Sequence, residues 1–195
     1  GYIDHYKYVF PVLDEYKIKA SFFPPVITAQ QKIILDVNKI HLILANCEDK
    51  KDIMDKIKKE YSHFNKNKNF ESFEEIINKN KFKCRYDDAT VVAIKQLLQN
   101  LLPNNIRTEI CDKLFKEYVK GDISSLIKEL YMSTKQIKEM FDYGHEIGLH
   151  GYNHLWLGSL TKKEQENEIV NSLEFWKKNN IMMDKFTMCY PFGDY

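Results

Sequence analysis

Two histidines four residues apart, His150 and His154 in the stretch EIGLHGYNH, directly follow a short apolar run. On a helix, side chains at i and i+4 project from one face, so both imidazoles could reach one cation at about 2.0–2.1 Å. Two histidines do not complete a zinc site, which takes a third protein ligand and, for catalysis, an open position for water. The spacing alone also fits two surface or core histidines, because the chain carries six. One chemistry is excluded: a zincin protease places its general base inside H-E-x-x-H, and here Gly151, Tyr152 and Asn153 stand between the histidines. A third ligand and a base must come from elsewhere, with a carboxylate at another strand end as the natural source.

The internal carboxylates have simpler roles. Asp87-Asp88 in CRYDDAT immediately precedes a strong helical pattern, which points to an N-cap. Asp194 follows the PFG turn and reads as a turn residue. Asp4 is expected to cap the first helix.

Around these residues the chain alternates, stops, and alternates again. HYKYVFPVLDEYK carries Val9, Phe10, Leu13 and Tyr16 at roughly helical spacing, with a kink expected at Pro11. KASFFPP follows as a short strand that two prolines terminate. From Val26 to about Met132 no βαβ alternation is visible, and amphipathic helices take its place. The clearest is ATVVAIKQLLQNLLP, with Val91, Ile94, Leu98 and Leu101 on one face. Further helices carry Ile106, Ile110, Leu114 and Tyr118, then Ile123, Leu126, Ile127 and Leu130. The Lys/Asn tracts NKNKN and NKNKFK read as solvated loops. The segment 26–132 is therefore expected to be a helical insertion into an α/β core formed by 1–25 and 133–195.

After Ser133 the alternation resumes. Ser133 with Gln136 and Thr161 with Glu164 form capping boxes that open two helices, and Gly144 ends the first. Ile169, Val170, Leu173 and Trp176 are expected on the buried face of the second. EIGLHG and KFTMCY read as strands, so the histidines and PFGDY both fall at strand ends, where functional residues of α/β folds collect.

Composition narrows the partners. With 29 Lys plus Arg against 28 Asp plus Glu, no charge excess favours nucleic acid or an anionic membrane. No apolar run reaches the eighteen or so residues of a membrane span. The hydrophobic fraction of 44% is enough to build a core. Cys47, Cys84, Cys111 and Cys189 are widely spaced without a CxxC pair, which argues against a cysteine zinc module and favours reduced thiols in the cytoplasm.

Three separated pieces, GYIDHYKYVFPVLDEYKIKASFFPP, GHEIGLHGYNH and YPFG, taken in order, resemble the NodB-type polysaccharide deacetylases, carbohydrate esterase family 4. That resemblance implies a distorted (β/α) barrel, here partial and interrupted by the insertion. It also implies a metal-dependent hydrolase that removes acetyl groups from N- or O-acetylated sugars of a polysaccharide or its precursor. His150 and His154 become metal ligands, Phe192 the donor of an oxyanion-hole N–H, and Tyr190 and Pro191 the floor of the substrate groove. The ion is expected to be zinc, with cobalt, nickel or manganese also suited to two imidazoles and a carboxylate.

The family's Asp-Asp-Gly motif aligns its glycine with Gly1, so the base and the third ligand are expected before Gly1. Cys189 stands where an arginine often orients that base. This departure keeps open a second reading, a non-catalytic carbohydrate-binding or scaffold domain of the same fold. A third role, recruitment of a partner by the 26–132 helices, is compatible with either. The sugar and the oligomeric state are not encoded in any of these residues.

Overall fold

The structure is a computed structural model that describes residues 1–30, 32–66, 70–181 and 185–193. In chain order it runs α1 (Phe10–Glu15), β1 (Ser21–Phe22) and α2 (Val26–Ala29). Then come α3 (Asp36–Asn46), α4 (Lys50–Asn65), α5 (Phe73–Lys79), α6 (Ala89–Gln96) and α7 (Asn104–Tyr118). It closes with α8 (Ile123–Leu130), α9 (Thr134–Asp142), β2 (Glu146–Ile147) and α10 (Lys162–Lys178). Two compact units divide this order, Gly1–Ile34 with Asp122–Tyr195, and Leu35–Gly121. Set against the expected insertion at 26–132, α2 and α8 fall in the first unit.

In the first unit, β1 and β2 pair in parallel with Ser21 opposite Glu146 and Phe22 opposite Ile147. The ladder extends past β2: Gly148 N–H donates to Phe22 O at 2.8 Å and Leu149 N–H to Thr187 O at 2.9 Å. A parallel bridge joins Leu149 to Met188, so the 146–149 segment lies between the other two. Ser21 and Thr187 (2.8 Å) both donate hydroxyl hydrogen bonds to the Glu146 carboxylate, tying the three segments at one level. The regular strands are shorter than KASFFPP, EIGLHG and KFTMCY suggested, and most of the described chain is helical.

Strand alternation sends Ile147 and Leu149, each 1% exposed, into one core with Ile3, Phe10, Phe22, Ile137, Met140 and Trp176. Burying each such side chain stabilises the unit by about 1.5–3 kcal/mol. Gly148 faces the other way, against the Phe23 ring: a Cβ there would lie 2.3 Å from Phe23 Cε1 and 3.0 Å from Thr187 O. Only glycine fits.

Several local expectations need correction. Asp4 has helical backbone angles and makes no side-chain cap bond, because the helix already starts at Ile3. The break near Pro11 takes the form of a π turn over His5–Val9 just ahead of it, as a residue without an N–H demands a local rearrangement of the ladder. On α10 the buried stripe is Glu168, Ser172 and Trp176, with Ile169 and Leu173 half-buried and Val170 41% exposed. Along α8 only Ile127 is buried and Ile123 is 49% exposed. Both capping boxes form as the sequence predicts, and Gly144 ends α9 at φ +87°.

The second unit is helical. Its fully buried side chains include Ile40, Ile43, Ile53, Ile57, Tyr61, Ile94, Leu97, Leu98, Leu102, Ile106, Ile110 and Leu114. Val91 and Leu101 are only half-buried, and Leu101 lies in a π turn over Leu97–Leu101 that follows α6. Asp88 accepts from Val91 N–H at 2.9 Å as the N-cap of α6, and Asp87 pairs with Lys95 at 2.7 Å. The two adjacent carboxylates are thereby accounted for. The first Lys/Asn tract runs into residues 67–69, outside the described residues, and in the second Asn78 and Lys79 are still helical. No helix among the described residues is long and apolar enough to cross a membrane.

Candidate metal and substrate site

His150 and His154 do not share a helical face. They flank a tight non-helical turn in which Gly151 (φ +70°) and His154 (φ +60°) both take left-handed backbone angles. The turn still brings the rings together, with centroids 4.8 Å apart and planes at 73°. Two imidazoles on one tetrahedral ion, bound at about 2.0–2.1 Å, would have centroids about 5 Å apart, so the observed spacing fits a shared cation.

The tautomer of His150 is fixed. Its Nδ1 lies 2.7 Å from Cys189 O, and a carbonyl can only accept, so Nδ1 carries the proton and Nε2 keeps its lone pair. Burial lowers the pKa of His150 and pushes His154 down to about 4, with the neighbouring imidazole adding to the effect on His154. Both rings are therefore neutral near pH 7, the form that ligates a metal. A third histidine nearby in sequence has a different role. His145 is 2% exposed, packs edge-on against Phe10 and Phe22, and its Nδ1 accepts from Ala20 N–H at 3.3 Å.

The turn itself is held at both edges. Its carbonyls at Gly151 and Tyr152 accept from the Val26 (3.4 Å) and Ile27 (2.9 Å) N–H groups, first-turn donors of α2 that have no acceptor within their own helix. On the other edge, Tyr152 and Asn153 N–H both donate to Glu168 Oε2 at 2.8 Å.

Phe192 lies against this pair. Its ring meets His154 edge-on at 4.7 Å and stacks on Trp156 at 4.3 Å with only 2° between the planes. Phe192 also has a left-handed backbone, φ +60°, in the short 3-10 turn Pro191–Gly193. Pro191 is buried, with its Cγ 3.8 Å from where a Gly151 Cβ would project, and Tyr190 is 45% exposed. So His150, His154, Phe192 and Pro191 are brought together, with Tyr190 on the same turn. Asp87 and Asp88 belong to the other unit, and Asp194 lies outside the described residues. No third His, Cys, Asp or Glu joins the histidines to make a metal-binding group among the described residues. The donor set present thus fits two positions of a divalent-ion site.

Sequence reading missed Trp156 and Glu168. Trp156 had a signal, an aromatic two residues past the second histidine. Glu168 had a fainter one, the Glu168, Ser172, Trp176 stripe at four-residue spacing.

A family model described as polysaccharide deacetylase matches residues 86–195. The match begins inside the second unit and does not reach residues 1–25. The peptidoglycan deacetylase of Helicobacter pylori (strain ATCC 700392 / 26695) is 35% identical over 66 residues, 33% of this chain and 22% of that protein. The chain therefore aligns with less than a quarter of that relative's length. No solved structure matches it. The matched segment contains the histidine pair, the aromatic stack and the turn that carries Phe192, and on this extent of match the chain belongs to the polysaccharide deacetylase family.

Proposed function

We propose that this chain supplies two metal ligands and part of the substrate groove of an enzyme that hydrolyses acetyl groups from N- or O-acetylated sugars of a polysaccharide or its precursor. The observation that carries the reading is the approach of His150 and His154 to 4.8 Å, with His150 held in one tautomer by the Cys189 carbonyl. The parallel pairing of β1 with β2 and the Leu149–Met188 bridge support a partial, distorted (β/α) barrel as the surrounding core.

His150 and His154 would hold a divalent cation, zinc by preference for imidazole, with cobalt, nickel or manganese as acceptable substitutes. Such an ion supplies Lewis acidity and makes a water acidic enough to ionise near neutral pH. The chain's own residues do the rest. Burial keeps both imidazoles unprotonated and ready to ligate. Phe192 sits at a strand-end turn, from which its N–H would donate to the oxyanion that develops as the acetyl carbonyl is attacked. The Trp156–Phe192 stack offers a flat apolar wall for one face of a pyranose ring, and Tyr190 and Pro191 would form the groove floor. The remaining ligand and the general base are proposed as aspartates preceding Gly1.

Full-length protein should bind about one divalent ion per chain and release acetate from acetylated oligosaccharides, and His150→Ala should abolish both. Unchanged metal content in that variant would remove the site assignment. Cys189, in the place of the family's arginine, favours the second reading of a non-catalytic carbohydrate-binding domain. That reading predicts sugar binding without acetate release under any divalent metal.

A further inference from the structure

The turn between the two histidines depends on a single buried carboxylate. Glu168 is 5% exposed, and its oxygens are occupied by Tyr152 N–H (2.8 Å), Asn153 N–H (2.8 Å) and Asn153 Nδ2 (2.6 Å). A Cβ on Gly151 would lie 3.0 Å from Glu168 Oε2, so the main chain passes the carboxylate at close range because residue 151 has no side chain. A buried carboxylate carries a desolvation penalty that hydrogen bonds of this charge-assisted kind must offset. On the inward stripe of α10 an apolar residue would pack without that penalty. The position is therefore not explained by packing of the helix alone.

We propose that Glu168 is a positioning residue for the metal site: it fixes the 151–154 turn, and through it the separation and aim of His150 and His154. The inference rests on the metal reading above and adds to it. Both carboxylate oxygens are engaged by the turn, and Glu168 forms no metal-binding group with the histidines among the described residues, so it orders the turn and does not serve as a ligand. It acts opposite Val26 and Ile27, whose N–H groups hold the carbonyls of the same turn. Two peptide units are thus gripped on both edges, and the left-handed geometry at Gly151 and His154 is held between fixed points. Removing the carboxylate frees one edge and lets the second imidazole move from the first.

The test uses full-length protein and Zn(II) or Co(II) titrated by calorimetry, with amide hydrogen exchange at Tyr152 and Asn153 as a metal-free readout. Glu168→Asp keeps the charge but cannot reach both N–H groups. It should weaken metal binding tenfold or more, the size of effect typical for residues that orient ligands, and speed exchange at both amides. Glu168→Gln should stay within about threefold of wild type, because its amide oxygen can take both N–H groups while the Asn153 amide rotates. Asn153→Ala, at an exposed position, removes the Oε1 contact alone and should cost roughly threefold without threatening the fold. Wild-type metal affinity and unchanged exchange in Glu168→Asp would overturn the proposal while leaving the metal site standing. Equal metal uptake by wild type and His150→Ala would instead bring down the metal reading, and the proposal with it.

Discussion

Gly148→Ala is the sharpest probe of how the site is carried. The new methyl would sit 2.3 and 2.5 Å from two Phe23 ring carbons and 3.0 Å from Thr187 O. Carbon atoms pack comfortably at about 3.5–4.0 Å, so the ring must retreat by more than about 1 Å. Phe23 is half-buried and can swing part of the way. Thr187 O cannot, because Leu149 N–H holds it at 2.9 Å in the ladder. Overpacking of this kind costs about 1–3 kcal/mol, and a ring that yields beside a carbonyl that does not places the cost near 2 kcal/mol. For a chain of this length that is a fall in Tm of about 4–8 °C. Urea unfolding followed by circular dichroism would measure it, with Phe23→Ala and the double variant completing a cycle. Deleting the ring should relieve the clash, so the double variant should be more stable than additivity predicts by about 1 kcal/mol. A single variant within 0.5 kcal/mol of wild type, or a strictly additive cycle, would refute the steric account, on the same scale of about 0.5 kcal/mol that additivity allows.

Two further outcomes are expected. His154 has its pKa depressed to about 4 in the fold, so the unfolded chain binds its proton first as pH falls. Metal-free stability should be full above about pH 6.5, the ordinary histidine value, and decline towards pH 4, with buried His145 contributing in the same direction. His154→Ala should flatten that decline in urea midpoints, and an unchanged slope would rule His154 out as a contributor. Trp156→Ala should raise KM for acetylated oligosaccharides by roughly three- to tenfold with a smaller change in kcat, as loss of a stacking surface predicts. A fall in kcat at constant KM would contradict the stacking role.

The sequence disclosed the parts of the molecule whose physics is local. Capping boxes at Ser133 and Thr161, the Asp88 cap and the glycine end of α9 all depend on residues within a few positions of one another. The two histidines were legible as a pair, but the means of joining them was not. A helical face was the natural reading of i and i+4, whereas the chain uses a left-handed turn whose anchors, Val26, Ile27 and Glu168, are remote in sequence. The face of α10 was misjudged for a related reason. Val170 is apolar and points outward while Glu168 is charged and points inward, and only the turn that Glu168 serves explains the inversion.

The pairing of Ser21 with Glu146 spans 125 residues. The ladder that carries His150 can therefore close only after all the intervening chain has been synthesised, which places formation of the site late in folding and leaves β1 without its partner until then. The equilibrium cost of that long detour is nonetheless small. Closure entropy grows only as the logarithm of loop length, so shortening the excursion fourfold would gain about 1.2 kcal/mol. The detour is thus mainly a kinetic burden, felt as slow assembly and as an exposed strand edge during synthesis. For expression of this protein, the holding time before residue 146 emerges matters more than the final stability of the sheet.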